Sequence, residues 1–215
     1  MAQIFPKWTN KLGIYIVIVV FLIVVGITAF FTYYGSPEYR EMGFQPNQPV
    51  PYSHKLHAGD LGMDCRYCHY DIELSPVANI PATQICMNCH RMIGLDKPSL
   101  DLVRSSWSDT IAIRWVRVHQ LPDFVFFNHA SHLRAGVGCY SCHGDVRAMI
   151  QVIQARPLNM KWCLDCHRNP QMNLRPQSEL TNMHWNPPQD QIAIATKMMA
   201  DKNLNPPTEC SGCHR

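Results

Sequence analysis

The sequence is poor in charged side chains, and this shortage excludes several classes of function. Only 16% of its 215 residues are charged, with a formal net charge of +3, whereas about a quarter of a typical soluble domain is charged. So small and evenly spread a positive charge excludes nucleic acid as a partner. The mean hydropathy of −0.15 excludes a protein with many membrane-spanning segments. Glycine is less frequent than proline, with 11 residues against 16. So many prolines disfavour long regular helices over most of the chain.

Charged residues are also missing from one continuous stretch near the N-terminus. Leu12–Thr32 is almost entirely apolar, and as a helix it would span about 31 Å, close to the thickness of the bilayer hydrocarbon core. We interpret this stretch as a transmembrane anchor over residues 12–34. The alternative is a cleaved signal peptide, which has a shorter apolar region followed by a cleavage site with small residues. This run ends in aromatic residues instead.

The charges that flank the apolar stretch predict its orientation. Lys7 and Lys11 precede it, and positive charge is enriched on the cytoplasmic side of membrane helices. We therefore expect residues 1–11 in the cytoplasm and residues 35–215 in the periplasm, as in a single-pass protein of the bacterial inner membrane. The anchor carries no His, Asp, Glu, Arg or Lys, so it offers no quinol-oxidising site of its own.

Cysteine occurs in one pattern only. All ten cysteines belong to Cys-x-x-Cys-His motifs, numbered here from first to fifth: Cys65/Cys68/His69, Cys86/Cys89/His90, Cys139/Cys142/His143, Cys163/Cys166/His167 and Cys210/Cys213/His214. This pattern is typical of c-type haem attachment, in which both thiols bond to the porphyrin and the histidine becomes the proximal iron ligand. Zinc ribbons and disulfides, the two alternatives, give no reason for a histidine after each second cysteine. The sequence therefore predicts five covalent haem c groups.

Five haems leave too little polypeptide for each to have a fold of its own. We expect neighbouring macrocycles to share walls, so that haem fills most of the core. The predicted fold class is mainly α with much irregular structure. Short helical turns would hold the attachment sites of this multihaem cytochrome c domain, with proline-rich loops between them and the single transmembrane helix in front.

An internal repeat precedes the first and third motifs. The phrase Tyr-Ser-His-Lys-Leu-His at residues 52–57 is matched by Phe-Asn-His-Ala-Ser-His at residues 127–132. Each of these two aromatic-His phrases lies ahead of two motifs. This arrangement predicts duplicated two-haem modules over about residues 50–95 and 125–170, with the fifth haem in residues 171–215.

Each haem iron held by one histidine needs a sixth ligand if it is to be closed to substrates. Six histidines outside the motifs, and two methionines near a motif, are the candidate ligands: His54, His57, His119, His129, His132, His184, Met160 and Met183. A His-x-x-His pair would also suit a zinc site or an exposed surface, and the methionines would also suit gaps in the core. No motif has lysine in place of its histidine. We therefore expect six-coordinate haems that carry electrons, and no catalytic residues.

The aromatic-His phrases ahead of Cys-x-x-Cys-His resemble the low-potential class III multihaem cytochromes. In that family the first histidine of a phrase ligates the haem of the motif that follows, and the second reaches a neighbouring haem. The resemblance implies these roles: His54 for the haem on His69, His129 for the haem on His143, and His57 and His132 for other haems.

Residues Ile111–Val118 predict a strand-like segment, because β-branched and aromatic side chains dominate it. The segment contains two arginines, Arg114 and Arg117. They could pair with haem propionates or lie solvated at a subunit surface.

Over its full length the chain resembles the pentahaem membrane-anchored cytochrome c subunit of alternative complex III, a bacterial quinol:electron-acceptor oxidoreductase. The resemblance rests on the N-terminal span, the five motifs, both aromatic-His phrases, and the stretches at residues 117–129 and 159–167. It implies integral membrane quinol-binding subunits, an iron–sulfur subunit and a monohaem cytochrome c subunit as partners. Electrons would pass from quinol through iron–sulfur clusters to these haems, and on to a periplasmic cytochrome or a terminal oxidase.

Other functions stay open at the level of sequence. One is a stand-alone membrane-anchored electron carrier between a quinol dehydrogenase and a periplasmic reductase. Another is a structural scaffold, in which the haems serve only to stabilise the fold. A tetrahaem quinol dehydrogenase of the nitrite- or nitrate-respiration type fits less well, because it has four haems.

Overall fold

The computed structural model describes residues 4–214 in two compact units, one ending at Glu41 and the other beginning at Met42. Residues 1–3 of the predicted cytoplasmic segment lie outside the described residues. Residue 215 of the predicted periplasmic domain also lies outside them.

The N-terminal unit is built around one apolar helix. A 3₁₀ turn, Lys7–Lys11, leads into the α-helix Leu12–Tyr34, and a short helix, Pro37–Arg40, follows. The 23 residues of the α-helix span about 34 Å, and the mean hydropathy of its most apolar window is 3.1. The hydroxyls of Thr28 and Thr32 donate to backbone carbonyls one turn earlier, so they need no partner outside the helix. By length and composition it is the one helix among residues 4–214 that could cross a bilayer.

The C-terminal unit consists of short helices joined by irregular loops. Its α-helices are Cys65–Cys68, Thr83–His90, Asp101–Asp109, His129–Ala135, Cys139–His143, Met160–Arg168, Gln191–Asp201 and Cys210–Cys213. Lys55–Asp60 forms a π-helical turn, and 3₁₀ turns occur at Pro98–Leu100, Val146–Ala148, Pro170–Asn173 and Gln177–Glu179. Asn128 and Asn159 cap two of the helices by accepting from backbone amides in the first turn, as N-cap residues commonly do.

The described residues contain no β-strand. Two isolated bridges occur, Val125–His214 and Val137–Leu174. The prediction of a strand-like segment at residues 111–118 is wrong, because no strand pairs with it. Instead the Gln48 side-chain amide accepts from the backbone N–H of Val116 at 3.0 Å and donates to its carbonyl at 2.8 Å. Arg114 and Arg117 are both exposed.

Side chains alone supply only a small core. Val50, Met87 and Val103 form a buried apolar cluster, against which Cys86 of the second motif packs. Buried apolar residues outside this cluster include Ala130, Leu133, Leu174, Leu180, Met183 and Ala195. So few buried side chains suit a unit whose core is completed by a cofactor. The prediction of a mainly helical chain with much irregular structure is confirmed.

Candidate functional site

Each Cys-x-x-Cys-His motif occupies a single helical turn. Residues three and four apart share one face of a helix, so the two thiols and the imidazole lie on the same side of the turn. The histidine N–H closes the turn by donating to the carbonyl of the first cysteine, at 2.9 Å for both His69–Cys65 and His214–Cys210. In the first motif the Asp64 carboxylate caps the turn by accepting from the backbone N–H of Arg66.

Two of the ten motif cysteines are exposed, Cys89 of the second motif and Cys210 of the fifth, whereas the other eight are half-buried. In the helix Thr83–His90 the buried residue is Met87, and Cys89 follows it by two positions, about 200° further round the helix axis. Cys89 thus lies on the side opposite the apolar cluster. It stays a predicted haem-attachment residue, because it shares its helical turn with Cys86 and His90.

Backbone carbonyls orient the imidazoles of four motifs. The distances from histidine Nδ1 to carbonyl oxygen are 2.8 Å for His69–Asn79, 3.2 Å for His90–Ile93, 2.6 Å for His167–Pro207 and 3.3 Å for His214–Phe124. A carbonyl oxygen only accepts, so Nδ1 carries the proton and the lone pair of Nε2 is left free. Histidines that ligate metals usually have this tautomer and this outer partner.

The third motif has a different partner for its histidine. Nδ1 of His143 lies 3.4 Å from Nε2 of His119, and the two rings meet edge to face with their centroids 4.5 Å apart. Burial, and then the proximity of His119, lower the pKa of His143 to about 3. Burial also lowers the pKa of His119. Both imidazoles are therefore neutral at neutral pH, and a neutral imidazole is the form that ligates metals.

The two aromatic-His phrases have the same ring geometry. The Tyr52 ring meets the first histidine of its phrase at 87° with centroids 4.8 Å apart, and stacks on the second at 21° and 4.5 Å. The corresponding values for Phe127 are 89° and 4.7 Å, then 30° and 4.4 Å. In both phrases one aromatic ring therefore contacts two imidazoles and fixes their relative orientation.

Three of the candidate sixth ligands face the histidine of a motif. The facing pairs and their ring-centroid distances are His57–His90 at 6.2 Å, His129–His143 at 6.4 Å and His132–His167 at 6.1 Å. A metal–imidazole bond is about 2 Å long, so a metal ion between two opposed imidazoles separates their ring centroids by roughly 6 Å. All three pairs fit an iron ion held between two histidines.

The same three candidates are oriented through their Nδ1 atoms. The backbone oxygens they meet are those of Ser53 for His57 at 2.9 Å, Pro76 for His129 at 2.9 Å and Asn128 for His132 at 2.8 Å. Nε2 is therefore the free nitrogen in each of them.

His54 lies close to the first motif. Burial, followed by the proximity of His69 and His57, lowers the pKa of His54 to about 4. Its Nδ1 atom is buried without a hydrogen-bond partner, which is uncommon for a polar atom in a protein interior. His54 is thus a neutral imidazole with an unsatisfied nitrogen, beside the motif with which the sequence pairs it.

The remaining candidates are placed differently. The aromatic ring beside His214 of the fifth motif is that of Phe124, with centroids 5.7 Å apart. His184 is exposed, Met160 is exposed at the start of its helix, and Met183 is buried. The structure brings His119 to the third motif.

Arg175 is a buried cation that the sequence does not reveal. Its side chain is only 4% exposed, and its guanidinium donates to the backbone oxygens of Glu179 at 3.4 Å and Asn182 at 3.0 Å. It lies 4.6 Å from the ring centre of Trp185, and its Nε atom has no hydrogen-bond partner. It also packs against Gly138, which directly precedes the third motif. Arginine is seldom fully buried, so no local pattern would have signalled this position.

No disulfide joins the ten cysteines, and no group of three or more His, Cys, Asp or Glu side chains among residues 4–214 is arranged to hold a metal ion. A structural zinc site needs four protein ligands. Two opposed imidazoles per site suit haem iron instead, because the porphyrin supplies the other ligands.

Two comparisons show which known proteins the chain resembles. Residues 125–215, which contain the third, fourth and fifth motifs, match the family described as cytochrome c7 and related cytochrome c. The chain is also similar to the menaquinone reductase multiheme cytochrome c subunit of Nitratidesulfovibrio vulgaris strain Hildenborough, at 36% identity over 100 residues. The match covers 46% of this chain and 47% of that relative, so the chain spans about half the length of the curated protein it matches. Within the mainly helical chain, residues 125–215 are therefore similar to cytochrome c7 and related cytochrome c.

Proposed function

We propose that the chain is a membrane-anchored electron carrier in which each of the five motifs holds one covalent haem c through its two thiols and its histidine. The observation that carries this proposal is the set of opposed histidine pairs with centroids 6.1 to 6.4 Å apart. That separation suits an iron ion between two imidazoles. The placement of thiols and imidazole on one helical turn in each motif supports it further.

Four of the motif histidines have a second histidine that would complete the binding of the iron. The assigned pairs are His54–His69, His57–His90, His129–His143 and His132–His167. Each aromatic-His phrase then supplies one ligand to the motif that follows it and one to the next motif along the chain. The matching ring geometry around Tyr52 and Phe127 supports two equivalent two-haem modules.

The fifth iron takes its sixth ligand from His184, Met160 or Met183. A thioether ligand would give this haem a higher reduction potential than its neighbours with two histidines.

Haem supplies one-electron chemistry, and the residues of the chain restrict it to electron transfer. At the four motifs with a paired histidine, the two imidazoles would bind the iron and leave no ligand position for a substrate. Each of the assigned ligands His57, His129 and His132 is held at Nδ1 by a backbone oxygen. This outer partner keeps the ring in position when the charge on the iron changes.

The apolar helix links the carrier to a membrane. Lys7 and Lys11 precede that helix and favour a cytoplasmic N-terminus with the haem domain in the periplasm. The helix has no charged side chain, so integral membrane subunits must bind the quinol. An iron–sulfur subunit and a monohaem cytochrome c subunit complete the assembly, as in alternative complex III. Similarity to part of a menaquinone reductase subunit supports a quinone-linked complex.

Purification from native membranes in a mild detergent tests this function. We expect the chain to elute with large integral membrane subunits, and its haems to be reduced when a quinol is added. A solitary 24.6 kDa chain whose haems no quinol reduces would contradict the complex and favour the stand-alone carrier. A quinol-site inhibitor provides the control, because it should abolish the reduction without changing the elution.

A further inference from the structure

His119 is left unused by the four histidine pairs, yet it contacts a motif. Its Nε2 atom lies 3.4 Å from Nδ1 of His143. His119 is half-buried in a loop. Three residues earlier in the chain, the backbone N–H and carbonyl of Val116 both form hydrogen bonds with the Gln48 side chain. The contact is therefore part of an ordered region of the chain.

We propose that His119 accepts a hydrogen bond from the Nδ1–H group of His143 and thereby lowers the reduction potential of the haem on the third motif. His119 is in this view a positioning residue that acts through His143, and it does not ligate iron. The inference rests on the haem assignment proposed above.

The ring geometry separates the two possible roles of His119. The His143 ring faces His129 with centroids 6.4 Å apart and planes within 10° of each other, which suits a shared iron ion. The rings of His119 and His143 are only 4.5 Å apart and nearly perpendicular, which is too close for an iron ion between them. Since one iron takes two axial ligands, His129 completes the site and His119 lies outside it.

The acceptor at Nδ1 distinguishes the third motif from the other four. In the other four motifs a backbone carbonyl accepts from the motif histidine. No substitution of a side chain would remove that carbonyl. In the third motif the acceptor is an imidazole nitrogen. A partner at Nδ1 increases the basicity of the ligating nitrogen. A more basic ligand stabilises ferric iron more than ferrous iron, which lowers the reduction potential.

The test uses the full-length protein with its haems attached and three substitutions. His119→Phe keeps a ring for the edge-to-face contact with His143 but removes the acceptor, and His119→Gln restores an acceptor in the form of a side-chain carbonyl. Gln120→Leu is the matched control, because Gln120 is exposed and its amide donates to the carbonyl of Arg117. A redox titration followed by electron paramagnetic resonance resolves the individual ferric haems.

In His119→Phe we expect one haem to titrate at a higher potential while the other four are unchanged. Outer partners of metal ligands typically matter by a factor of ten or more, and a tenfold change in the ferrous-to-ferric ratio corresponds to about 59 mV for one electron. His119→Gln should return most of this shift, and Gln120→Leu should produce none.

Two results would overturn the proposal. A high-spin ferric signal together with carbon monoxide binding in His119→Phe would identify His119 as an iron ligand. Unchanged potentials in all variants would show that the contact is only packing. The haem count of the unsubstituted protein is measured first, so that a failure of the haem assignment is distinguished from a failure of the role given to His119. If the phenylalanine variant does not assemble, His119→Leu provides the same loss of acceptor.

Discussion

The imidazole rings of His132 and His167 lie 6.1 Å apart although the two residues belong to different helices, His129–Ala135 and Met160–Arg168. The rings of His57 and His90 form the corresponding pair in the first half of the unit, at 6.2 Å. Each pair joins the second histidine of an aromatic-His phrase to the more distant of two motifs. Iron bound in these pairs would cross-link segments that share few buried side chains.

Replacing His132 with alanine should open one axial position. Because attachment depends on the cysteines, we expect the variant to keep five haems, of which one becomes high-spin and binds carbon monoxide after reduction. Carbon monoxide difference spectra measure this directly, with the unsubstituted protein as control. His57→Ala should have the same effect on the haem of the second motif. If neither variant binds more carbon monoxide than the unsubstituted protein, the assigned pairs are wrong.

The Tyr52 ring should set the orientation of two imidazoles without help from its hydroxyl. Phe127 makes the same two ring contacts in the second phrase and has no hydroxyl. We therefore expect Tyr52→Phe to leave the ferric resonance spectrum unchanged. Tyr52→Leu should shift the signals of the first and second haems, because the imidazole rings of His54 and His57 would lose the aromatic ring that orients them. A shift of equal size in Tyr52→Phe would contradict this role for the ring.

The Asp64 carboxylate should stabilise the turn of the first motif in a pH-dependent way. A hydrogen bond from the Arg66 side chain holds the pKa of Asp64 down to about 2, against an ordinary value of 3.8. Its contribution is therefore complete above pH 3.8 and lost as the pH falls through about 2. Since both side chains of the ion pair are nearly half exposed, the loss of the cap dominates, and Asp64→Ala should cost about 1 kcal/mol at pH 7.

Denaturant unfolding at several pH values tests this prediction. The difference between Asp64→Ala and the unsubstituted protein should shrink steadily below about pH 4. Asp60→Ala is the matched control, because Asp60 forms an exposed ion pair with Lys55 at 2.8 Å and caps no motif. A pH-independent difference for Asp64→Ala would contradict the carboxylate's role.

The buried guanidinium of Arg175 should be important for stability. Arg175→Met removes its hydrogen bonds to two backbone oxygens and its contact with the Trp185 ring. We expect the free energy of unfolding to fall by about 2 kcal/mol or more. Circular dichroism during denaturant unfolding measures the change, and Arg134→Met, at an exposed helical position, should alter it little. Equal effects in the two variants would show that the burial of Arg175 is not what matters.

The local parts of this structure are predictable from the sequence, because their chemistry lies within a few residues. The spacing of Cys65, Cys68 and His69 predicts a helical turn that presents all three side chains on one face, and such turns occur at every motif. The apolar composition of residues 12–34 likewise predicts the single long helix.

Long-range contacts are not predictable in this way. His119 and His143 are 24 residues apart, and the loop around His119 has no periodicity that would place it. The burial of Arg175 depends on carbonyls and a ring in a folded loop. The exposure of Cys89 likewise depends on which face of its helix packs against the apolar cluster. The prediction of a strand-like segment at residues 111–118 is wrong because local propensity supplies no partner strand. The side chain of Gln48 forms hydrogen bonds with the backbone of this segment instead.

Counting the attached haems tests the central claim most directly. Intact mass spectrometry of the purified protein, combined with a pyridine haemochrome assay, gives the number of covalent haems per chain. We predict five haems, and four when the cysteines of any one motif are replaced by alanine. A single mass species with fewer than five haems in the unsubstituted protein would contradict the assignment of all five motifs.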